Sequence, residues 1–229
     1  MPCRNTVKIY LDGGHYHIYN RGVEKRDIFT NQKDYRMFLR FLKDALSPRP
    51  SAKNLKTPVT FKGSTFKGIP RQPKNFSKKV TLLAYCLMPN HFHLLVKQNG
   101  ARSLHEFMQS LATRYAIYFN KEHERVGGLF QGIYKAVLVN EEPYLLHLSR
   151  YIHQNPLEIS DDIINAFSSY GDYLGIRKTV WVHPEEILSF FQPGTLPFLK
   201  NHNTYKDFVQ SPDGQSQTFL GNLVLDETP

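Results

Sequence analysis

Cysteine is nearly absent: Cys3 and Cys86 are the only two among 229 residues. That excludes a disulfide framework or a cysteine-rich metal cluster, and Cys86, inside an apolar run, reads as a small core residue. No stretch approaches the ~18 consecutive apolar residues of a membrane span. The first residues, with Lys8, Asp12 and His15 among them, lack the apolar segment of a secretory signal, so the expectation is a cytoplasmic protein with no membrane partner. A Gly-x-x-x-x-Gly-Lys-Ser/Thr phosphate loop is also missing, which removes the usual device of nucleotide-driven chemistry.

Acidic residues are scarce where basic ones gather. Lys and Arg number 29 against 20 Asp and Glu, a net charge of +9. Residues 47–79 hold nine basic side chains and no acidic one, while residues 160–229 hold four basic and nine acidic ones. The basic stretch also carries five prolines, with Phe61, Phe66 and Phe76 among its lysines. It reads as a long, poorly structured insertion suited to a polyanion, with lysines for phosphates and rings for base stacking. Lys78 and Lys79 close it. Composition does not separate DNA from RNA.

Aromatics at 13% and hydrophobics at 41% are enough for a sizeable core. His15 to Asn20 reads as a strand and Arg21-Gly22 as a turn. Asn31 then caps a helix whose stripe is Tyr35, Phe38, Leu39, Leu42 and Leu46. Val80 to Met88 and His91 to Lys97 form two strands of a hairpin about Pro89-Asn90, the second with Phe92, Leu94 and Val96 on one face and His91, His93 and Leu95 on the other. Ser103 and Glu106 suggest a capping box opening a helix that Gly127-Gly128 ends. Leu129 to Val139 offers a fourth strand, and a last helix starts near Glu141-Glu142-Pro143 and stops at Pro156. The order strand, helix, strand, strand, helix, strand is that of a ferredoxin-like split βαβ unit: an α+β fold with an antiparallel sheet and its helices on one face. Residues 1–159 form this domain with the insertion at 47–79. Residues 160–229 form an acidic, partly helical C-terminal extension, with a helix start at Pro184-Glu185-Glu186 and an unstructured end from Ser211.

Two histidine pairs stand at strand spacing. His91 and His93 share a face, as residues i and i+2 of a strand do, and can hold a metal together. His15 and His17 show the same spacing, which leaves the choice open. Tyr151 and Asn155 are i and i+4 on the last helix, at the edge of the stripe of Leu145, Leu148 and Ile152. Asn155 precedes a proline, which disfavours helical geometry and points it elsewhere. Tyr115 and Tyr118 fall within the apolar stripe of their own helix and read as core.

Four segments, His17-Ile18-Tyr19-Asn20-Arg21-Gly22, Met88-Pro89-Asn90-His91-Phe92-His93-Leu94-Leu95, Gly128-Leu129-Phe130-Gln131-Gly132 and Tyr151-Ile152-His153-Gln154-Asn155-Pro156, together resemble the single-tyrosine HUH transposases, and most of all their REP-associated branch. The resemblance runs over about residues 15–157. Ser168-Ser169-Tyr170 and Tyr173-Leu174-Gly175 look like the C-terminal extension some of these proteins carry.

The resemblance implies an HUH endonuclease-like domain in which His91 and His93 are paired metal ligands, Asn155 a third ligand and Tyr151 the nucleophile, with His15 and His17 outside the ligand set. Many insertion-sequence relatives have Gln where this chain has Asn155. It further implies Mg2+ or Mn2+ as cofactor, single-stranded or hairpin DNA as partner, and a covalent 5′-phosphotyrosine that a second 3′-hydroxyl resolves. Arg21, Lys25, Arg26, Lys78 and Lys79 are the candidate phosphate contacts. Relatives act as monomers or homodimers. Two alternatives stand beside this reading: a domesticated protein that binds DNA hairpins without cutting, and a metal-dependent hydrolase that activates water.

Overall fold

The computed structural model describes residues 10–100, 102–191 and 202–211. Cys3 and the segment beyond Ser211 lie outside them. The first strand, β1 (His15–Arg21), is buried on both faces along its centre. Helix α1 (Gln32–Leu46) starts where expected, because the Asn31 side chain accepts hydrogen bonds from the backbone N–H groups of Lys33 and Asp34 at 2.9 and 3.1 Å. Its stripe is the expected one: Phe38, Leu42 and Leu46 are buried, and Tyr35 and Leu39 pack against the same core.

The basic insertion departs from expectation. It contains a short helix, α2 (Ala52–Leu55), and a two-stranded ribbon, β2 (Thr57–Phe61) and β3 (Ser64–Gly68). Lys62 and Gly63, both at positive φ (48° and 81°), form its two-residue loop. Paired positive φ values mark the type I′ turn, whose twist matches that of the strands it joins.

Next come β4 (Val80–Met88), β5 (His91–Gln98), α3 (Ser103–Glu122), β6 (Lys135–Val139) and α4 (Glu142–Gln154). The sheet order is β4-β5-β1-β6 with every pair antiparallel, which is the split βαβ arrangement. Three local expectations are corrected. Ser103 is not the cap of α3: it lies inside the helix and bonds Asn99, while the Gln98 side chain accepts from the Leu104 N–H. The helix ends at Glu122, ahead of Gly127-Gly128, with the chain turning at Glu124 (φ 50°). The fourth strand is shorter than Leu129 to Val139, because Gln131 and Gly132 turn the chain back on Arg21 and Phe130 before Lys135 joins the sheet.

The sheet buries both faces. On one side, Phe92, Leu94 and Val96 of β5 meet α1 and α3 through Phe38, Leu42, Phe107, Leu111 and Tyr115. On the other, Leu83, Ala84 and Leu95 meet Leu145, Leu148 and Ile152 of α4. The extension joins this second core through α5 (Tyr170–Tyr173), α6 (Glu185–Leu188) and α7 (Tyr205–Gln210), which bury Tyr170, Tyr173, Ile187, Tyr205 and Phe208 there. It also covers the open edge of β4: Leu87 N–H bonds Phe167 O, Ser169 N–H bonds Tyr85 O and His183 N–H bonds Leu82 O. Among the described residues no helix is long and apolar enough to cross a membrane.

Candidate active site

The four sequence segments, far apart along the chain, converge at one end of the sheet. Between β4 and β5, the Pro89 carbonyl accepts from Ile28 and Phe29 N–H, and the Asn90 carbonyl from Gly22 N–H at 2.8 Å. Gly22 is required by close approach, since a Cβ there would lie 2.1 Å from the Arg26 carbonyl oxygen. Gln131 N–H bonds Arg21 O, the Gln131 side chain accepts from Arg21 Nε, and Asn20 Nδ2 donates to Gly132 O at 3.3 Å.

This frame presents the histidines. His91 and His93 stand on the α4 side of β5, ring centroids 4.9 Å apart and planes at 87°. His93 is fully buried, its Nδ1 2.9 Å from His17 Nε2, and its own Nε2 has no hydrogen-bond partner. His91 has Nδ1 2.6 Å from Asn90 Oδ1 and Nε2 3.5 Å from Asn155 Oδ1, too long for a strong hydrogen bond. Burial pushes the His91 imidazole down to about 4 against a smaller opposing effect of Asn155, and the Arg21 charge adds to the depression. Burial, then the neighbouring His17 and His91 rings, hold His93 well below the usual range, against a smaller opposing effect of the Asn155 side chain. Both rings are therefore neutral at pH 7, as metal ligation demands.

Helix α4 lays the second half of the site across these rings. The Tyr151 ring centroid is 5.4 Å from that of His93 at 83°, and 6.3 Å from that of His17 at 82°. Asn155 does not turn away as its proline neighbour suggested: its backbone stays helical (φ −48°, ψ −41°) and passes into a 3-10 turn, Asn155–Glu158. Its Nδ2 donates to the Tyr151 carbonyl at 2.8 Å, which leaves Oδ1 for the His91 side. Below Tyr151 the buried His153 bonds Tyr205 Oη through Nδ1 and Ser169 Oγ through Nε2, each at 2.7 Å, tying α4 to the extension.

The structure thus brings His91, His93, Asn155 and Tyr151 together. Arg21 is directly opposite His91 in the strand register, and Lys25 is exposed beside Asn90, whose side chain donates to its carbonyl. Arg26 is held by Glu24 and the Val23 carbonyl. Lys78 and Lys79 are exposed but sit at the far end of β4, where Val80 pairs with Gln98, away from Met88 and His91. Tyr115 and Tyr118 lie on the other face, bonded to Ile28 O and Asp34.

Sequence reasoning passed over His17, set aside as a non-ligand, yet its ring meets a nitrogen of His93. The signal was the strand period: His17 and Tyr19 share the face of β1 that adjoins His93, and Tyr19 pairs with it directly. Lys135 was missed as well; its ammonium stands 5.5 Å from the Tyr19 ring centroid.

The donor set fits a divalent cation on two structural grounds: the buried His93 Nε2 lacks a partner, and His91 Nε2 faces an amide oxygen. Among the described residues no group of three or more His, Cys, Asp or Glu side chains is arranged to hold a metal ion, so a centre here would draw on the Asn155 amide beside the imidazoles.

The chain is similar to known proteins in part of its sequence and in its fold. Residues 69–155 match the family described as Transposase IS200 like, a stretch from the end of the insertion through β4, β5, α3, β6 and α4 to Asn155. Over that stretch the chain is similar to the IS200-like transposases. The fold is shared with a REP-associated tyrosine transposase solved bound to a REP hairpin: TM-score 0.50, 12% identity, 76% of this chain and 86% of that one. A Deinococcus radiodurans R1 protein solved as a candidate transposase also matches, with TM-score 0.36, 15% identity, 67% of this chain and 97% of that one. No curated protein matches at the sequence level.

Proposed function

We propose that the protein nicks and rejoins single-stranded or hairpin DNA through a covalent 5′-phosphotyrosine on Tyr151. The observation that carries this is the meeting of α4 with β5: a phenol 5.4 Å, centroid to centroid, from a buried imidazole whose Nε2 is unpartnered, with Asn155 one turn further along beside the second imidazole.

The Tyr151 oxygen forms a bond to phosphorus as the bond from phosphorus to the 3′-oxygen breaks, and the phenolic proton is balanced by the one taken up by the departing 3′-hydroxyl. A phenol of pKa ~10 is a better leaving group than a sugar hydroxyl, so an incoming 3′-hydroxyl can reverse the link and rejoin strands without a nucleotide cofactor. His91 Nε2, His93 Nε2 and Asn155 Oδ1 would hold Mg2+ or Mn2+, which neutralises charge on the non-bridging phosphate oxygens. In the tautomer that ligation requires, His93 Nδ1–H donates to His17 Nε2, 2.9 Å away, and Nε2 of His93 keeps its lone pair free. Asn155, bonded to the Tyr151 carbonyl, ties the ligand set to the turn of helix that carries the nucleophile. Arg21 and Lys25, at the same end of the sheet, are placed for phosphates on either side of the reacting one. The meeting of Tyr151 with His93 of the same chain supports a site complete within a monomer.

The structural neighbour's REP hairpin supports a hairpin as the DNA partner here. Incubation with end-labelled DNA hairpins and Mn2+, followed by denaturing electrophoresis, should give a protein-DNA adduct. Tyr151→Phe should abolish the adduct and retain DNA binding; an adduct of undiminished yield in that variant refutes the assignment.

A further inference from the structure

We propose that the β2–β3 ribbon is a base-stacking arm, which engages unpaired nucleotides of the DNA whose phosphate reacts at Tyr151. The proposal rests on the DNA-nicking reading and adds where a second part of the same DNA is held.

The ribbon is built with two unlike faces. In its register Val59 pairs with Phe66 and Phe61 with Ser64, so Val59, Phe61 and Phe66 project from one side. Thr60 and Thr65 face each other on the other side, hydroxyls 2.9 Å apart, next to the Pro58 and Lys67 pair. A Cβ on Gly68 would meet the Phe66 ring at 3.2 Å and Val59 at 3.3 Å, so the glycine leaves room for that ring to lie along the strand. Even so, Phe61 is 64% and Phe66 53% exposed, and β2 and β3 pair only with each other. Two strands alone are marginal in water, and bare rings on them call for a ligand with flat apolar faces.

The charge around the rings selects that ligand. Lys56, Lys62 and Lys67 are exposed on the ribbon, with the Lys62 ammonium 5.7 Å from the Phe61 centroid. At the root of the insertion, a cavity of about 470 Å³ is lined by Arg40, Lys43 and Arg49, with one carboxylate, Asp44, which Arg114 pairs. No acidic residue interrupts residues 47–79. Rings for base faces and cations for phosphates are what a strand with unstacked bases offers to meet; a duplex hides its base faces except at its ends.

The arm is rooted away from the reacting phosphate: the insertion leaves α1 and enters β4 at the Val80 end, with Phe76 N–H bonded to Ala45 O, whereas His91 lies beyond Met88 at the other end of that strand.

The test uses full-length protein and fluorescent DNA hairpins carrying the cleavable phosphate in a single-stranded tail at the foot of the stem, with the loop bases intact or abasic. Wild-type affinity should fall at least about fivefold when the loop bases are removed. The Phe61→Ala/Phe66→Ala variant should bind the intact hairpin more weakly by a similar factor and be indifferent to their removal. Wild-type affinity in the variant, or equal sensitivity of both proteins to abasic loops, overturns the arm. Tyr151 adducts on the same hairpins would then leave the nicking reading standing, whereas wild-type protein that binds no hairpin sinks both.

Discussion

Replacing His17 by Phe isolates what the buried imidazole pair does. Phe nearly fills the same volume in a fully buried position, so packing is kept while the acceptor 2.9 Å from His93 Nδ1 is lost. His93 then has two options. It keeps its proton on Nδ1, buried without an acceptor at a cost of about 1–3 kcal/mol, or it moves the proton to Nε2 and gives up the lone pair aimed at the cation site. Either route lowers divalent-ion affinity by about 10- to 100-fold, the range usual for an outer partner of a ligating histidine. Two readouts separate this from general damage. Titration of Mn2+ by the paramagnetic resonance of the free ion gives the affinity, and 15N shifts of the His93 ring in metal-free protein give the tautomer. A His17→Phe protein that binds Mn2+ as wild type does, with the His93 proton still on Nδ1, would refute the reasoning.

Other consequences follow from the same region. Burial lowers His91 to about 4, and burial together with Arg177 lowers His153 to about 3, against ~6.5 in an unfolded chain. Stability is therefore full above pH ~6.5 and falls as the pH drops towards those values, by up to about 1.4 kcal/mol per pH unit for each histidine, because the unfolded state takes up protons that the native state refuses. Urea midpoints at pH 7.5 and 5 that coincide would show that the rings are not buried neutral. Asn155→Ala should weaken Mn2+ binding with little change in thermal midpoint, measured by the same titration and by circular dichroism; unchanged affinity removes Asn155 from the donor set. Ending the chain at residue 159 strips Tyr170, Tyr173, Tyr205 and Phe208 from the second core, at about 1.5–3 kcal/mol for each aromatic or aliphatic side chain exposed. The shortened protein should not fold, and a cooperative, wild-type-like melt would show the extension to be an independent appendage.

Local signals carried much of the architecture. The Asn31 cap, the α1 stripe and the alternation that splits β5 between two cores were all legible, because each depends on residues within one or two turns or pleats. What escaped was settled by partners distant in sequence or by weak turn chemistry. Gln98 took over the start of α3 from the last residue of β5, so a good capping box was left unused. The ribbon turns on Lys62-Gly63, a less marked signal than Asn-Gly, inside a stretch whose prolines and lysines suggested no structure. Asn155 stays helical before proline because its side chain is anchored on the Tyr151 carbonyl and a 3-10 turn follows. At the site, the spacing of His91 and His93 was visible, but it was equally visible at His15 and His17. Only the register, with β1 beside β5, shows that His17 reaches His93 and that His15 instead meets Glu186 at 2.8 Å.

The two faces of the sheet divide the work. The α1–α3 side is dominated by aromatic and aliphatic packing, with Phe38, Phe92 and Phe107 at its centre. The α4 side buries His17, His93, Ser149, His153, Asn155 and Ser169, groups that contribute less to stability than apolar residues of the same size. The network through His153, Tyr205 and Ser169 shows how that cost is contained: each polar atom finds a partner, and the partners come from α4 and the extension together. Two buried atoms on this face, His93 Nε2 and Tyr170 Oη, have no hydrogen-bond partner. Of these, His93 Nε2 stands beside the Tyr151 ring and a second imidazole, and a lone pair in that setting supports the proposal that this face, and not the better-packed one, holds a ligand.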